Sequence, residues 1–501
     1  MLASVRSATL VGIDGRPVRV EVHVSNGLPG YQVVGLPDAA GRESRERVRA
    51  ALLSSELTWP MRRITVNLAP GGVRKTGSGF ELAVAIGLLA AEGEVADAAI
   101  EGLAVLGELG LDGSVRPVPG VLALVDSLRR AGADEVVVPI ANAAEAGLVD
   151  GITVRPARNL VELRACLKGE LPWPEPPPRP EPPAEAHLDG DEPLDLADVR
   201  GLPTPRLALE ACAAGGHHLL FVGPPGTGKT MLARRLPTIL APLEGEEALD
   251  VTRIHSVAGE GPVGTLRTTR PFRAPHHTAS TPALVGGGSG RPQPGEVTLA
   301  HHGALFLDEL GEFAPSALDA LRQPLEDGVV RIARQGISLA LPARFVLVAC
   351  TNPCPCGLES ARCRCDRGQL ARYARRLSAP LLDRFDLRLR VEPTPTDSPA
   401  GPTSAETRAR VAAAVARQRR RLRATPWTRN AQVPAGALER FVSLSADATR
   451  AWHDLAGERE LTGRGAARVR RVARTLADLD GRAEIAPSDL ATASVLRSEV
   501  P

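Results

Sequence analysis

The run Gly223-Pro224-Pro225-Gly226-Thr227-Gly228-Lys229-Thr230 fits the pattern G-x-x-x-x-G-K-[ST]. Glycine tolerates positive φ and close backbone approach, so such a loop can turn its N–H groups toward a phosphate at the start of a helix. Lys229 is placed to meet the β- and γ-phosphates, and Thr230 to offer its hydroxyl to Mg²⁺. Farther along, the apolar run Ala304-Leu305-Phe306-Leu307 reads as a buried strand that ends in Asp308-Glu309. A carboxylate there helps to hold Mg²⁺, and the next one can polarise the attacking water; Asp308 and Glu309 are assigned those roles. Nucleoside triphosphate hydrolysis is the expected chemistry, with ATP and Mg²⁺ as its requirements.

The elements that position these groups need a large chain, and 501 residues exceed one hydrophobic core, so two or three domains are expected. A hydrophobic content of 43% and a charged content of 24% are ordinary for a soluble globular protein. The net charge of +2 gives no global sign of a polyanionic partner, although local basic strips stay open. No apolar run approaches the ~20 residues that span a bilayer, and Met1 leads into Leu-Ala-Ser-Val-Arg with no signal peptide. A cytoplasmic protein without membrane attachment is the expectation.

Residues 1–168 alternate short Val/Ile/Leu strands (18–24, 63–68, 135–138) with alanine-rich helical stretches such as 80–91, which reads as an α+β or α/β domain. Residues 169–195 are rich in proline and acid and should form an extended linker. From 196 to 392, strands and helices alternate around the nucleotide motifs, as a parallel sheet covered on both faces requires. After a second proline-rich break, residues 403–501 have the composition of a helical lid, with helices expected over 405–422 and 463–479. Inside the core, the segment 251–299 separates the two nucleotide motifs and is long enough to expect a function of its own. Residues 329–334 and 337–341 alternate apolar positions around Gln335-Gly336, which predicts a β-hairpin.

The chain resembles the ComM/YifB family of magnesium-chelatase-like AAA+ ATPases along almost its whole length. The strings that carry the resemblance are 223–230, 271–280, 299–309, Leu321-Arg322-Gln323-Pro324-Leu325-Glu326, Asn352-Pro353-Cys354-Pro355-Cys356-Gly357 and Leu381-Leu382-Asp383-Arg384-Phe385-Asp386. The resemblance implies a multidomain α/β architecture: an N-terminal α+β domain like that of Lon proteases and ribosomal protein S5, an AAA+ P-loop core with helix-2 and pre-sensor-1 hairpin insertions, and a C-terminal helical lid. It also implies a homohexameric ring acting on DNA without sequence preference, single-stranded or branched, as a helicase or branch-migration motor in recombination or DNA uptake.

By position, Asn352 matches the sensor-1 residue that orients the lytic water, Arg384 the arginine finger that reaches a neighbour's γ-phosphate, and Arg464 the sensor-2 arginine of the lid. The hairpin and the long segment match insertions that face the ring's pore, which makes Arg331 and Arg334 the DNA-contact candidates; ordinary solvated hairpin charge is the other reading. An odd spacing sends the two side chains to opposite faces of a regular strand, so only one need face DNA.

The stretch 74–82 resembles the nucleophile region of Lon proteases, yet Gly79, not Ser78, falls at the nucleophile position, and Leu122 occupies that of the base lysine. A serine–lysine dyad needs a hydroxyl and an amine, so this domain is read as non-proteolytic. Cys354, Cys356, Cys363 and Cys365 offer four thiolates in one loop, enough for a structural Zn²⁺; a reduced, metal-free loop is the alternative. The histidine pairs 217–218, 276–277 and 301–302 are read as packing or polar contacts, because adjacent residues point in different directions. Two further classes compete with a DNA motor: a chelatase-like ATPase remodelling a protein partner, and a regulatory ATPase that binds without translocating.

Overall fold

The computed structural model describes the chain except for residues 37, 72–74, 76, 179–193, 261–263, 288–292, 335–336, 359–362, 396, 459–461 and 498–501. Most of the expected proline-rich linker and the Gln335-Gly336 turn therefore lie outside the described residues.

The N-terminal part is built on a seven-stranded mixed sheet in the order Gly30–Val34, Arg63–Ala69, Asp14–Ser25, Leu2–Val11, Leu103–Val105, Glu135–Pro139, Thr153–Ala157. Period-two alternation buries Val18, Val20, Val22 and Val24 on one face of the long second strand. Against that face lies the helix Glu81–Ala91, every residue of which is buried. Its Gly87 is needed there: a Cβ would stand 2.6 Å from Val22 Cγ2.

The central sheet has five parallel strands in the order Phe272–Arg273, Ala304–Leu307, Val346–Thr351, Leu219–Val222, Leu387–Arg390. The inner strands are apolar throughout because helices cover both faces. Phe221 and Phe306 are fully buried between them, each stabilising the fold by roughly 1.5–3 kcal/mol. Strands Leu219–Val222, Ala304–Leu307 and Val346–Thr351 end side by side at the carboxyl edge, beside the point where strand order reverses, and a ligand crevice is expected there.

Segment 251–299 is not one long loop. It finishes the helix Gly245–Ala258 and contributes the edge strand Phe272–Arg273 and the short helices Thr281–Val285 and Glu296–Leu299. A two-residue strand is too short to leave a periodic pattern. The C-terminal part carries the expected helices at Ser404–Leu422 and Gly463–Leu479, and two more, Ala446–Glu458 and Pro487–Val495. Buried Asp478 ties it together, accepting from Arg421, Arg474 and Asn430. Among the described residues no helix is long and apolar enough to cross a membrane.

The strands Val329–Arg334 and Ile337–Pro342 pair antiparallel with Arg331 opposite Ala340. Val330, Leu339 and Leu341 are buried, while Arg331 is exposed. The buried side meets the N-terminal part: a Cβ on Gly12 would lie 3.3 Å from Leu341 and 3.5 Å from Leu339. Beside it, the Gly120 N–H donates to Ser256 O at 3.2 Å, and Glu145 accepts from Leu122 N and from the Ser256 hydroxyl. One apolar cluster runs through Leu10, Val121, Val257 and Leu341, so the N-terminal part and the central domain share a core.

Candidate active site

At the carboxyl edge of the central sheet, Val222 runs into the glycine loop, Leu307 into Asp308-Glu309 and Thr351 into Asn352. The sheet order thus assembles three sequence-distant segments in one crevice. Gly226 and Gly228 have φ of +79° and +85°, and a Cβ on Gly226 would meet nothing within 4 Å. The loop is therefore an open cradle with its backbone facing outward. The Lys229 ammonium folds back onto it, donating to Gly223 O and Pro224 O, each at 2.7 Å. Burial pulls its pKa below the ordinary lysine value, so the group is already partly desolvated where an anion would pair with it. Thr230 Oγ1 donates to Asp308 Oδ2 at 2.9 Å, which puts hydroxyl and carboxylate together as joint oxygen ligands for a hard cation. The residues fit Mg·ATP, which when bound supplies the reactive phosphate and the charge that neutralises it.

The helix after the loop is short. It spans only Lys229–Ala233, followed after a turn by Leu236–Ile239. The short helix has a smaller dipole to offer, so the loop N–H groups and Lys229 must supply most of the attraction for phosphate.

Glu309 adopts φ +51°, in the left-handed region, and its side chain is 57% exposed. Its carboxylate lies 3.4 Å from His277 Nδ1. The His277 ring in turn packs against His276 and edge-on to Phe313. No sequence signal announces this contact: the two residues meet because the strand Phe272–Arg273, which ends shortly before His277, pairs with Ala304–Leu307. Replacing His277 with alanine is expected to lower kcat about tenfold with ATP affinity unchanged, because the carboxylate loses its orienting partner. A steady-state ATPase assay checks it, and a rise in kcat would mean that the contact restrains Glu309 instead.

Asn352 is fixed from behind. Tyr373 OH donates to Asn352 O at 3.1 Å and pairs with Thr351 Oγ1 at 2.8 Å. On the other side of the glycine loop a cavity of about 810 Å³ opens beside Leu202, Arg206 and Arg390. Leu202 reaches the loop itself, 3.5 Å from where a Gly228 Cβ would be. Neither Tyr373 nor this cavity carries a sequence signal.

The two arginines matched by resemblance lie elsewhere. Residues 383–386 precede Leu387, so Arg384 sits at the amino edge of the sheet, whereas Lys229 and Asp308 sit at the carboxyl edge. Four-residue strands separate those edges by about 13 Å. Arg384 is ion-paired with Glu326 and lines a second cavity, of about 480 Å³, with Arg344, Asp386 and Arg468. Burial, with the charges of Arg464, Arg468 and Arg322, lowers its pKa, and its buried Nε has no hydrogen-bond partner. Arg464 is 76% exposed and lies 3.8 Å from Asp383 Oδ2, on the same face. Asp386 anchors this face. Burial works against its charge, but His217, His218 and Arg468 outweigh burial and hold it at about 2.

The histidine pairs are hydrogen-bonded into their surroundings: His217 Nε2 meets Thr475 Oγ1 at 2.8 Å, while His218 and His301 accept from Leu347 N and Arg344 N. His301 and His302 do converge with Asp250, but the Arg344 bond occupies His301 Nδ1. Cys350, near the cysteine loop in sequence, is buried in the strand Val346–Thr351 and outside the thiol cluster. The four cysteines 354, 356, 363 and 365 bring their sulfurs together.

The family described as Magnesium chelatase, subunit ChlI, matches residues 195–398; Subunit ChlI of Mg-chelatase matches 20–142, and the subunit's C-terminal family matches 401–497. The chain is 44% identical to the uncharacterized protein Rv2897c of Mycobacterium tuberculosis, covering 98% of this chain and 97% of that one. It is 40% identical to YifB of Escherichia coli (96% and 94%) and 39% identical to Competence protein ComM of Haemophilus influenzae (100% and 98%). The chain belongs to the ComM/YifB family of magnesium-chelatase-like AAA+ ATPases. Membership in this ATPase family brings use of ATP and Mg²⁺, and the crevice between Lys229, Asp308 and Glu309 fits that chemistry.

Proposed function

We propose that this chain is a motor that hydrolyses ATP while moving on DNA, in a homohexameric ring of helicase or branch-migration type, and that it serves recombination or the processing of incoming DNA. The observation that carries the ring is the position of Arg384, at the sheet edge opposite its own Lys229. A guanidinium about a strand's length from its own phosphate site can act on phosphate only in a neighbouring chain. Arg464 shares that face and would act on the same neighbouring nucleotide. The adenine would lie in the cavity beside Leu202.

Two observations support DNA as the track. Arg331 is exposed on the hairpin, a form of contact that pairs with phosphates and ignores sequence. A relative similar over the full length is named a competence protein. The side chain of Arg334 lies outside the described residues, so Arg331 carries the hairpin's contact with DNA in this proposal. The family descriptions favour a second reading, a chelatase-like ATPase that remodels a protein partner.

ATPase rate with and without single-stranded and forked DNA separates the two. The motor reading expects stimulation by DNA, with binding that weakens as salt rises in proportion to the phosphates contacted. Unchanged turnover together with no salt-sensitive binding would sink it in favour of a protein partner.

A further inference from the structure

The densest group of metal-ligating atoms among the described residues lies not in the phosphate crevice but in the loop after Asn352. The sulfurs of Cys354, Cys356, Cys363 and Cys365 all lie within 4.8 Å of one another. Cys354 and Cys356 are 3.4 Å apart, Cys354 and Cys363 3.7 Å, and Cys356 and Cys363 3.8 Å. Disulfide sulfurs are about 2.05 Å apart, so these are free thiols. A tetrahedron of thiolates about 2.3 Å from a central Zn²⁺ has edges of about 3.8 Å, which these separations approach. Four sulfurs select a soft-tolerant ion such as zinc over Mg²⁺, which prefers oxygen.

The turn inside this cluster bears on the nucleotide loop. Gly357 has φ +70°, and a Cβ there would stand 2.8 Å from Cγ and Cδ of Pro225 and 3.9 Å from Asn352 Cγ. The Gly357 backbone thus lies against the second proline of the phosphate cradle. Beyond the cluster, Asp366 caps the helix Arg367–Arg376, whose Tyr373 holds Thr351 and Asn352. Cys354 and Cys356 thus follow directly from the sheet through Asn352, Cys365 leads directly into that helix, and Gly357 lies against the cradle.

We propose that Cys354, Cys356, Cys363 and Cys365 bind one Zn²⁺ as thiolates, and that the metal, by fixing the turn at Gly357 against Pro225, holds the phosphate loop in the shape that accepts ATP. The second half of the proposal rests on the ATP-binding reading of residues 223–230. Each thiol gives its proton to solvent as its sulfur takes a coordination position, and no oxidant or reductant is involved. Without the ion, the turn keeps its end anchors and the backbone bond from Gly357 N–H to Cys354 O at 3.0 Å, and the cradle loses the brace behind that turn.

The test uses the full chain purified without chelator. Metal analysis should find about one zinc per chain. Stripping zinc under reducing conditions should weaken binding of a fluorescent ATP analogue by at least about tenfold, and Zn²⁺ but not Mg²⁺ should restore it. Gly357→Ala separates metal from clamp: the four thiols stay, so zinc should remain near one per chain while ATP affinity falls. Circular dichroism before and after stripping guards against general unfolding. Less than about 0.2 zinc per chain overturns the site. Bound zinc whose removal leaves ATP affinity within about twofold overturns the clamp. Should the zinc-loaded protein itself fail to bind ATP, the nucleotide reading falls, and the metal stoichiometry alone still judges the site.

Discussion

Arg384→Ala is expected to leave ATP binding intact and to cut turnover by about 10³–10⁵, the range in which an arginine supplied from a neighbouring chain acts. The residue is half-buried, with an ion pair to Glu326 as its resting partner and a cavity of about 480 Å³ in front of it. In the proposed ring, a phosphate presented by the next chain would offer a stronger, doubly negative partner, for which the guanidinium would exchange Glu326. Two measurements read it. Equilibrium binding of an ATP analogue should not move, and mixing Arg384→Ala chains with Lys229→Ala chains should restore some turnover, because some junctions then join an intact cradle to an intact arginine. A monomeric protein whose Arg384→Ala variant keeps full activity would end the shared-site account.

Lys229 and Glu309 should split binding from chemistry. Lys229→Ala removes a charge-assisted contact worth about 1.5–3 kcal/mol, so ATP affinity should fall about 10–100-fold. The ammonium bonds Gly223 O and Pro224 O, and its loss also leaves those carbonyls to water. Glu309→Gln keeps the shape of the side chain and its place beside His277 but removes the base, so binding should persist while kcat falls by about 10²–10⁴. Isothermal binding and single-turnover hydrolysis measure the two effects separately. Equal turnover in Glu309→Gln would place the catalytic carboxylate elsewhere.

What is legible in the sequence follows from the range over which each signal acts. Residues 223–230 and the pair Asp308-Glu309 announce themselves because their chemistry is written in adjacent backbone and a single strand end. The antiparallel hairpin is legible from alternation alone. Contacts made by sheet order are not: His277 meets Glu309 only because a two-residue strand adds to the edge of the sheet, and Gly357 meets Pro225 only because Val346–Thr351 lies beside Leu219–Val222. Arg384 can be matched to a role through its string, but its pairing with Glu326 depends on the packing of two helical segments. The helix Lys229–Ala233 breaks where Pro237, four residues on, has no N–H to give the Ala233 carbonyl. The helix Ala446–Glu458 is legible too, since Ala448, Trp452 and Leu455 recur at helical spacing and face the core, but it is not among the helices expected above.

The contact of Gly12 with Leu339 and Leu341, and of Gly120 with Val257, has a practical corollary. A chain trimmed to the ATPase portion would present a greasy scar to water, with the hairpin's inner leucines uncovered. Such a fragment should clump or be digested quickly by protease, and any displacement of the hairpin in the intact chain would have to carry the amino-terminal sheet with it or uncover those leucines.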